Sequence, residues 1–117
     1  MANVIVLFEV TIKDGKNADY LAKADELKES LKKAEGFICS ERFSSLSVNG
    51  KLLSKSEWTD EQSVEKWRNN IAHRLCQKHG RENDFVDYKI TVVTPLRCYT
   101  MNNRTDAPQD SNQYFGE

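Results

Sequence analysis

Residues 3–12 (NVIVLFEVTI) are β-branched and aromatic and alternate apolar with polar toward their end, which predicts a first strand. Asp14-Gly15-Lys16-Asn17 follows as a turn, with Asn17 placed to cap a helix. From Ala18 to Ala34 the period changes. Leu21, Ala24, Leu27, Leu31 and Ala34 recur at helical spacing with Lys and Glu between them, and Gly36 punctuates the end. Residues 37–45 predict a second strand and residues 51–58 a third. Between them Val48-Asn49-Gly50 is a hairpin turn, because Asn-Gly accepts positive φ.

The Thr59-Asp60-Glu61 segment predicts a helix start, with the Thr59 hydroxyl accepting an orphan amide. That helix carries Val64, Trp67, Ile71 and Leu75 on one stripe, bends or restarts near Asn69-Asn70, and closes at Gly80. Residues 85–99 predict a long last strand, with Pro95 at a bulge or edge since it cannot donate to a ladder. The polar tail from Met101 to Glu117 is expected as an extended or partly disordered arm, with Tyr114 and Phe115 either tucked against the domain or frayed.

The order βαββαβ is that of a ferredoxin-like α+β domain, here residues 1–100, followed by the tail at 101–117. Both helices then cover one side of an antiparallel sheet. Alternation puts Val4, Val6, Phe8, Val10 and Ile12 on one face of the first strand and Ile5, Leu7, Glu9 and Thr11 on the other. In the last strand it groups Val86, Tyr88, Ile90 and Val92, leaving Phe85 and Val93 with Asp87, Lys89 and Thr91. The second face is thus mixed but too apolar to stand bare, and packing two sheets across a two-fold axis would cover it. The expectation is a homodimer.

The chain has 117 residues, 38% hydrophobic and 30% charged, which suits one globular domain. Its formal net charge of −1 and interleaved acids and bases leave no basic field, so nucleic acid is not expected as a partner. Cys39, Cys76 and Cys98 are odd in number and widely spaced, which argues against a disulfide framework or zinc site and for reduced, mostly buried thiols. The Val4–Phe8 run is too short for a signal or membrane helix, so the expected location is cytoplasmic and no membrane partner is expected.

Several segments combine into one pattern: Glu35-Gly36-Phe37-Ile38, Glu57-Trp58-Thr59-Asp60-Glu61, Trp67-Arg68, His73, Gln77-Lys78-His79-Gly80-Arg81, Phe85-Val86-Asp87-Tyr88 and Arg97-Cys98-Tyr99. Together, across roughly residues 3–100, they resemble the antibiotic biosynthesis monooxygenase family. The resemblance implies a dimeric α+β barrel and an oxidoreductase, here a cofactor-independent monooxygenase of a small aromatic or quinol substrate. Two alternatives stay open: a non-catalytic ligand-binding or stress-related barrel, and a heme-binding or heme-degrading protein.

The heme-degrading branch pairs a Trp with an Asn and a His; Trp67 matches, but Phe8 and Gln77 stand at the other two positions. Phe8 cannot donate a hydrogen bond and Gln77 is a poor iron ligand. In the polyketide-oxidising branch Trp67 again matches, with Ser63 and His73 where an Asn and a Tyr would be. The resemblance therefore implies catalytic roles for His73 and Trp67 and substrate contacts from Ser63, Tyr88, Arg97 and Phe8, with no metal and no cofactor. His73 is the base, being the side chain there whose ordinary pKa suits the task.

Simpler readings stand beside these. Trp67 lies on the core stripe, and pocket wall and core packing can coexist. His73 shares a side with Trp67 only if the helix breaks near Asn69-Asn70; otherwise it is a solvated surface histidine. Glu41 and Arg42 suggest a cross-strand ion pair or dimer contact, and Trp58 a packing or interface residue.

Overall fold

A computed structural model of the chain describes residues 3–116, with the side chains of Ile71 and Ala72 outside the described set. The strands are β1 (Val4–Ile12), β2 (Phe37–Ser44), β3 (Lys51–Trp58) and β4 (Phe85–Val93). Helix α1 (Asn17–Lys32) links β1 to β2, and α2 (Glu61–Arg68) and α3 (Ile71–His79) link β3 to β4. The four strands form one antiparallel sheet in the order β2-β3-β1-β4, the ferredoxin-like arrangement.

The register fixes the faces. Val4, Val6, Phe8 and Val10 lie opposite Trp58, Ser56, Ser54 and Leu52 of β3, and Val6, Phe8 and Val10 face Val92, Ile90 and Tyr88 of β4. A bulge between Thr11 and Ile12 pairs Ile12 with Phe85. The extra residue is Val86, so Phe85 joins Tyr88 on the helix side while Val86 is 65% exposed. This reverses the face expected for these two residues, since plain alternation does not register an inserted residue. The second face holds Ile5, Leu7, Phe43, Leu53 and Val93 among Glu9, Lys51, Lys55, Glu57 and Lys89, with a Lys51–Glu9 ion pair at 3.5 Å.

The helix starts differ in detail from the sequence reading. Lys16, not Asn17, holds the α1 cap position, without a side-chain bond. At α2 the capping acceptor is Asp60, whose Oδ1 takes the Ser63 N–H at 2.7 Å, while Thr59 Oγ1 donates to Asp60 Oδ2 at 3.2 Å. The carboxylate is the stronger acceptor at the positive end of a helix. Asn70 caps α3, its Oδ1 accepting the His73 N–H at 3.2 Å, so the chain stops and restarts at Asn69-Asn70. Gly80 does not end the region: a π-helical turn, Gly80–Asp84, leads directly into β4.

Only Gly50 in the β2–β3 connection has positive φ, at 80°, and the turn closes through Lys51 N–H to the Val48 carbonyl at 3.3 Å. The primed turn expected for Asn49-Gly50 is therefore absent, because a six-residue connection need not match the tight twist of a two-residue hairpin. Strand β4 ends at Val93, short of the expected Tyr99, and Pro95 lies beyond it rather than in a bulge. Proline has no N–H for the ladder and restrains the residue before it.

The tail folds on itself instead of extending as an arm. Helix α4 (Gln109–Tyr114) brings Asn112 to Arg104 Nε at 3.1 Å, and the Arg104 guanidinium lies 4.9 Å from the Tyr99 ring and 5.7 Å from Phe115. Tyr114 and Phe115 lie edge to face at 5.0 Å, and both stay largely exposed. The radius of gyration, 16.9 Å, exceeds the roughly 13 Å of a compact chain of this length.

The core is small. Val4, Trp58 and Val64 are buried and gather Val6, Leu31, Ala34, Phe37 and Trp67 around them; Val10 and Ile12 are buried at the other end of β1. Trp58, 1% exposed, is a packing residue, its indole donating to Ser56 Oγ at 2.9 Å. Between these two ends the helices stand off the sheet.

Gly36 docks α2 onto the start of β2. Its φ is 79°, and a Cβ there would overlap the side chains of the buried Ser63 and the exposed Thr59. Gly36→Ala is expected to cost about 1–3 kcal/mol, read as a lower urea midpoint at unchanged slope.

Candidate active site

The gap between helices and sheet is a cavity of about 510 Å³, within the size range of ligand pockets. One end is aromatic around the break in the second helical segment. Trp58 and Trp67 have ring centroids 6.1 Å apart, and Trp67 and His73 lie 5.1 Å apart. The other end is a second aromatic group, in which Phe8 lies 5.9 Å from Phe85 and 5.7 Å from Tyr88, with Tyr20 5.7 Å from Phe85. Ile90 and Val92, exposed in the fold as a whole, face this space.

Polar and charged groups line the walls between these ends. Ser54 and Ser56 on β3 and Ser40 and Arg42 on β2 line the sheet side, and Cys76 and Gln77 the helix side. His73 is half-buried and its Nδ1 is fully buried without a hydrogen-bond partner among the described residues. Burial pushes its pKa below the ordinary value, opposed by the Arg68 carbonyl and aided by the Arg74 charge, so the imidazole is held neutral. Burial likewise pushes the Tyr20 hydroxyl up, with the Arg42 guanidinium, 6.0 Å from the ring, pulling the other way.

Four residues named from the sequence line the cavity: Phe8, Trp67, His73 and Tyr88. Two do not. Ser63 is 5% exposed and sits beneath Gly36, so the domain packing uses it; Arg97 is exposed in the segment after β4. Leu75, expected on the apolar stripe, is also exposed, because the restart at Asn70 rotates α3 relative to α2. Neither Glu41 nor Arg42 forms an ion pair among the described residues: Glu41 lies opposite Lys55 and Arg42 opposite Ser54, and both border the cavity. The signal for Arg42 was its alternation with Ser40, paired across the strand with Ser54 and Ser56, which puts a polar stripe on the face that should be core.

The cysteines are free but not mostly buried. Cys39 and Cys98 are exposed, and Cys76 is half-buried at the cavity. Cys39 lies on the second face, its thiol toward Glu57 Oε2 at 3.5 Å.

At the cavity rim, His79 Nε2 approaches Asp19 Oδ2 at 2.8 Å and Asp84 Oδ2 at 3.4 Å. The His79 bond holds Asp19 below the usual carboxylate range, whereas burial, then the neighbouring Asp19, pushes Asp84 up. Among the described residues no helix is long and apolar enough to cross a membrane.

Known proteins place this geometry in context. Residues 3–79 match the family described as antibiotic biosynthesis monooxygenase. A curated relative, the jasmonate monooxygenase ABM of Pyricularia oryzae, is 37% identical over 87 residues; the match covers 74% of this chain, which spans only 40% of that relative's length. Among solved structures, Rv0793 from Mycobacterium tuberculosis superposes with a TM-score of 0.75 at 14% identity, covering 85% of this chain and all of that one. A point mutant of SnoaB, a cofactor-independent oxygenase from Streptomyces nogalater, superposes with a TM-score of 0.73 at 10% identity, covering 84% of this chain and 97% of that one. At such identities the structural likeness speaks for the fold, while the sequence match extends over most of the domain: the chain belongs to the antibiotic biosynthesis monooxygenase family.

Proposed function

We propose that the chain is a cofactor-independent monooxygenase that oxidises a small aromatic or quinol substrate in the cavity between sheet and helices. The observation that carries this reading is the His73 imidazole, which lines the cavity 5.1 Å from the Trp67 ring and has its Nδ1 buried. A partly buried imidazole held neutral at a cavity wall is suited to accept a proton there. The neutral imidazole takes a phenolic proton; the anion passes one electron to dioxygen; the two radicals join at a ring carbon. Loss of water leaves the carbonyl product, one oxygen atom in each: SH2 + O2 → SO + H2O. Trp67 and Phe8 wall the cavity from its two ends, and the Tyr88 hydroxyl and Arg42 guanidinium supply donors for the developing negative charge. At the two positions where the heme-degrading branch has Asn and His, the cavity wall presents Phe8 and Gln77, a donor set that does not fit iron.

A second substrate class is favoured by one feature. Arg42 has no carboxylate partner among the described residues and lies at the cavity wall. Together with the 37% identity to a jasmonate monooxygenase, this supports a substrate bearing a carboxylate for Arg42 to hold. Oxidising an unactivated C–H bond consumes two further electrons, so that reaction would require an added reductant, whereas a quinol supplies its own.

The mixed second face of the sheet supports a homodimer built sheet to sheet. Light scattering is expected to give about twice the 13.5 kDa chain mass, and Leu7→Glu, which puts a charge at the centre of that face, is expected to yield monomers.

Oxygen uptake with a panel of hydroquinones and anthrone-like substrates is expected to run faster with protein than without. His73→Ala should lower that rate by roughly a hundredfold or more. Ligand-dependent thermal stabilisation with no turnover of any substrate would instead mark a binding protein. The pH dependence follows from burial. His73 must be neutral to act, and its folded pKa is depressed below about 6.5. The rate should therefore rise with pH through a midpoint under that value and be level by neutrality. Because the unfolded chain binds this proton more readily, His73 also makes the fold less stable as pH falls below about 6.5.

A further inference from the structure

We propose that Asp19, His79 and Asp84 form a binding site for a divalent transition-metal ion of the zinc, manganese or cobalt class at the rim of the cavity. The three come from different elements: Asp19 from the first turn of α1, His79 from the last turn of α3, and Asp84 from the end of the π-helical turn. One nitrogen and two oxygens from these side chains all lie within 4.8 Å of one another. Small rotations bring them to the roughly 3.4 Å separation of donors on a tetrahedral ion with bonds near 2.1 Å.

The independent observation is Asp84. It is 1% exposed, and both of its carboxylate oxygens are fully buried with no hydrogen-bond partner among the described residues. Its nearest cationic neighbour is His79 Nε2 at 3.4 Å, but that nitrogen carries at most one proton and lies closer to Asp19, at 2.8 Å. That one nitrogen favours Asp19, and Asp84 is left against a second acid, Asp19 itself. Lys16 forms no ion pair with either acid among the described residues. Leaving a carboxylate buried and unpaired is expensive, and a dication supplies the missing partner to both acids while the imidazole binds it as a neutral ligand. The bound site is then electrically neutral.

Asn83 is the outer neighbour: its side-chain nitrogen donates to the His79 carbonyl at 3.0 Å and lies 3.4 Å from His79 Nδ1, which holds the residue that presents Nε2 to the two acids. His79 and Asp84 also line the cavity, so the ion's remaining positions open toward it. Three protein ligands with an open position is the pattern of an exchangeable rather than a closed structural ion. The site ties α1 to the turn that delivers Phe85, and it does not rest on the proposed oxygenase reaction.

The test uses the full chain after dialysis against a chelator. Calorimetric titration with zinc chloride and with manganese chloride is expected to show one ion bound per chain, with Asp19→Asn weakening binding by roughly tenfold or more. Asp19 is partly exposed on α1, so that variant keeps the fold; His79→Gln should show the same loss. Cobalt loading should give d–d absorption without an intense thiolate-to-metal band. No heat with either salt, affinity unchanged in both variants, or a thiolate band pointing to Cys39, Cys76 or Cys98 would each overturn the proposal.

Discussion

The Asn70 cap is the interaction on which the site depends. Six residues separate Trp67 from His73, and on an unbroken helix their side chains would point about 120° apart. By accepting the His73 N–H, the Asn70 side chain gives α3 a fresh start after α2 has ended, and the two rings meet at 5.1 Å. That one break turns a surface position into a cavity position. It also turns Leu75 outward, so the same restart that builds the site removes an apolar residue from the core.

The cavity has a second cause on the sheet. A ferredoxin-like sheet ordinarily fills its helix side with branched apolar residues, yet β2 and β3 present Ser40, Arg42, Ser54 and Ser56 there. The three serines are too short to reach α1 or α3, only Arg42 extends toward Tyr20 of α1, and the space stays open. The ends are closed by rings instead: Trp58 and Trp67 at one, Phe8, Phe85 and Tyr88 at the other. Gly80 serves the second end, because the Phe85 ring occupies the place where a Cβ would stand. The small set of buried residues is the structural cost of this opening.

Much of this was legible in the sequence. The order of elements, the face of β1 and a bend or restart near Asn69-Asn70 followed from periodicity, whereas His73 stayed open between a surface position and a place beside Trp67 until the restart was seen. What escaped notice has identifiable physical causes. The bulge opposite Ile12 exchanges the faces of Phe85 and Val86, and a one-residue insertion leaves no mark on alternation. Asp60 outcompetes Thr59 as a cap because its charge suits the helix end. Tyr20 and Arg42 reach the cavity through tertiary placement, although the polar stripe on β2 and β3 carried a usable signal. The tail closes through Arg104, Tyr99, Asn112 and Phe115, contacts that composition does not encode.

The chemistry of the cavity stands or falls with the restart at Asn70 holding His73 neutral among apolar neighbours. The most direct measurement is an NMR titration of the two histidine rings in the wild-type chain and in Asn70→Ala. The His73 ring is expected to titrate below the ordinary histidine value of about 6.5 in the wild type and to return toward it when the cap is removed. An ordinary pKa for His73 in the wild-type chain, unmoved by Asn70→Ala, would contradict it.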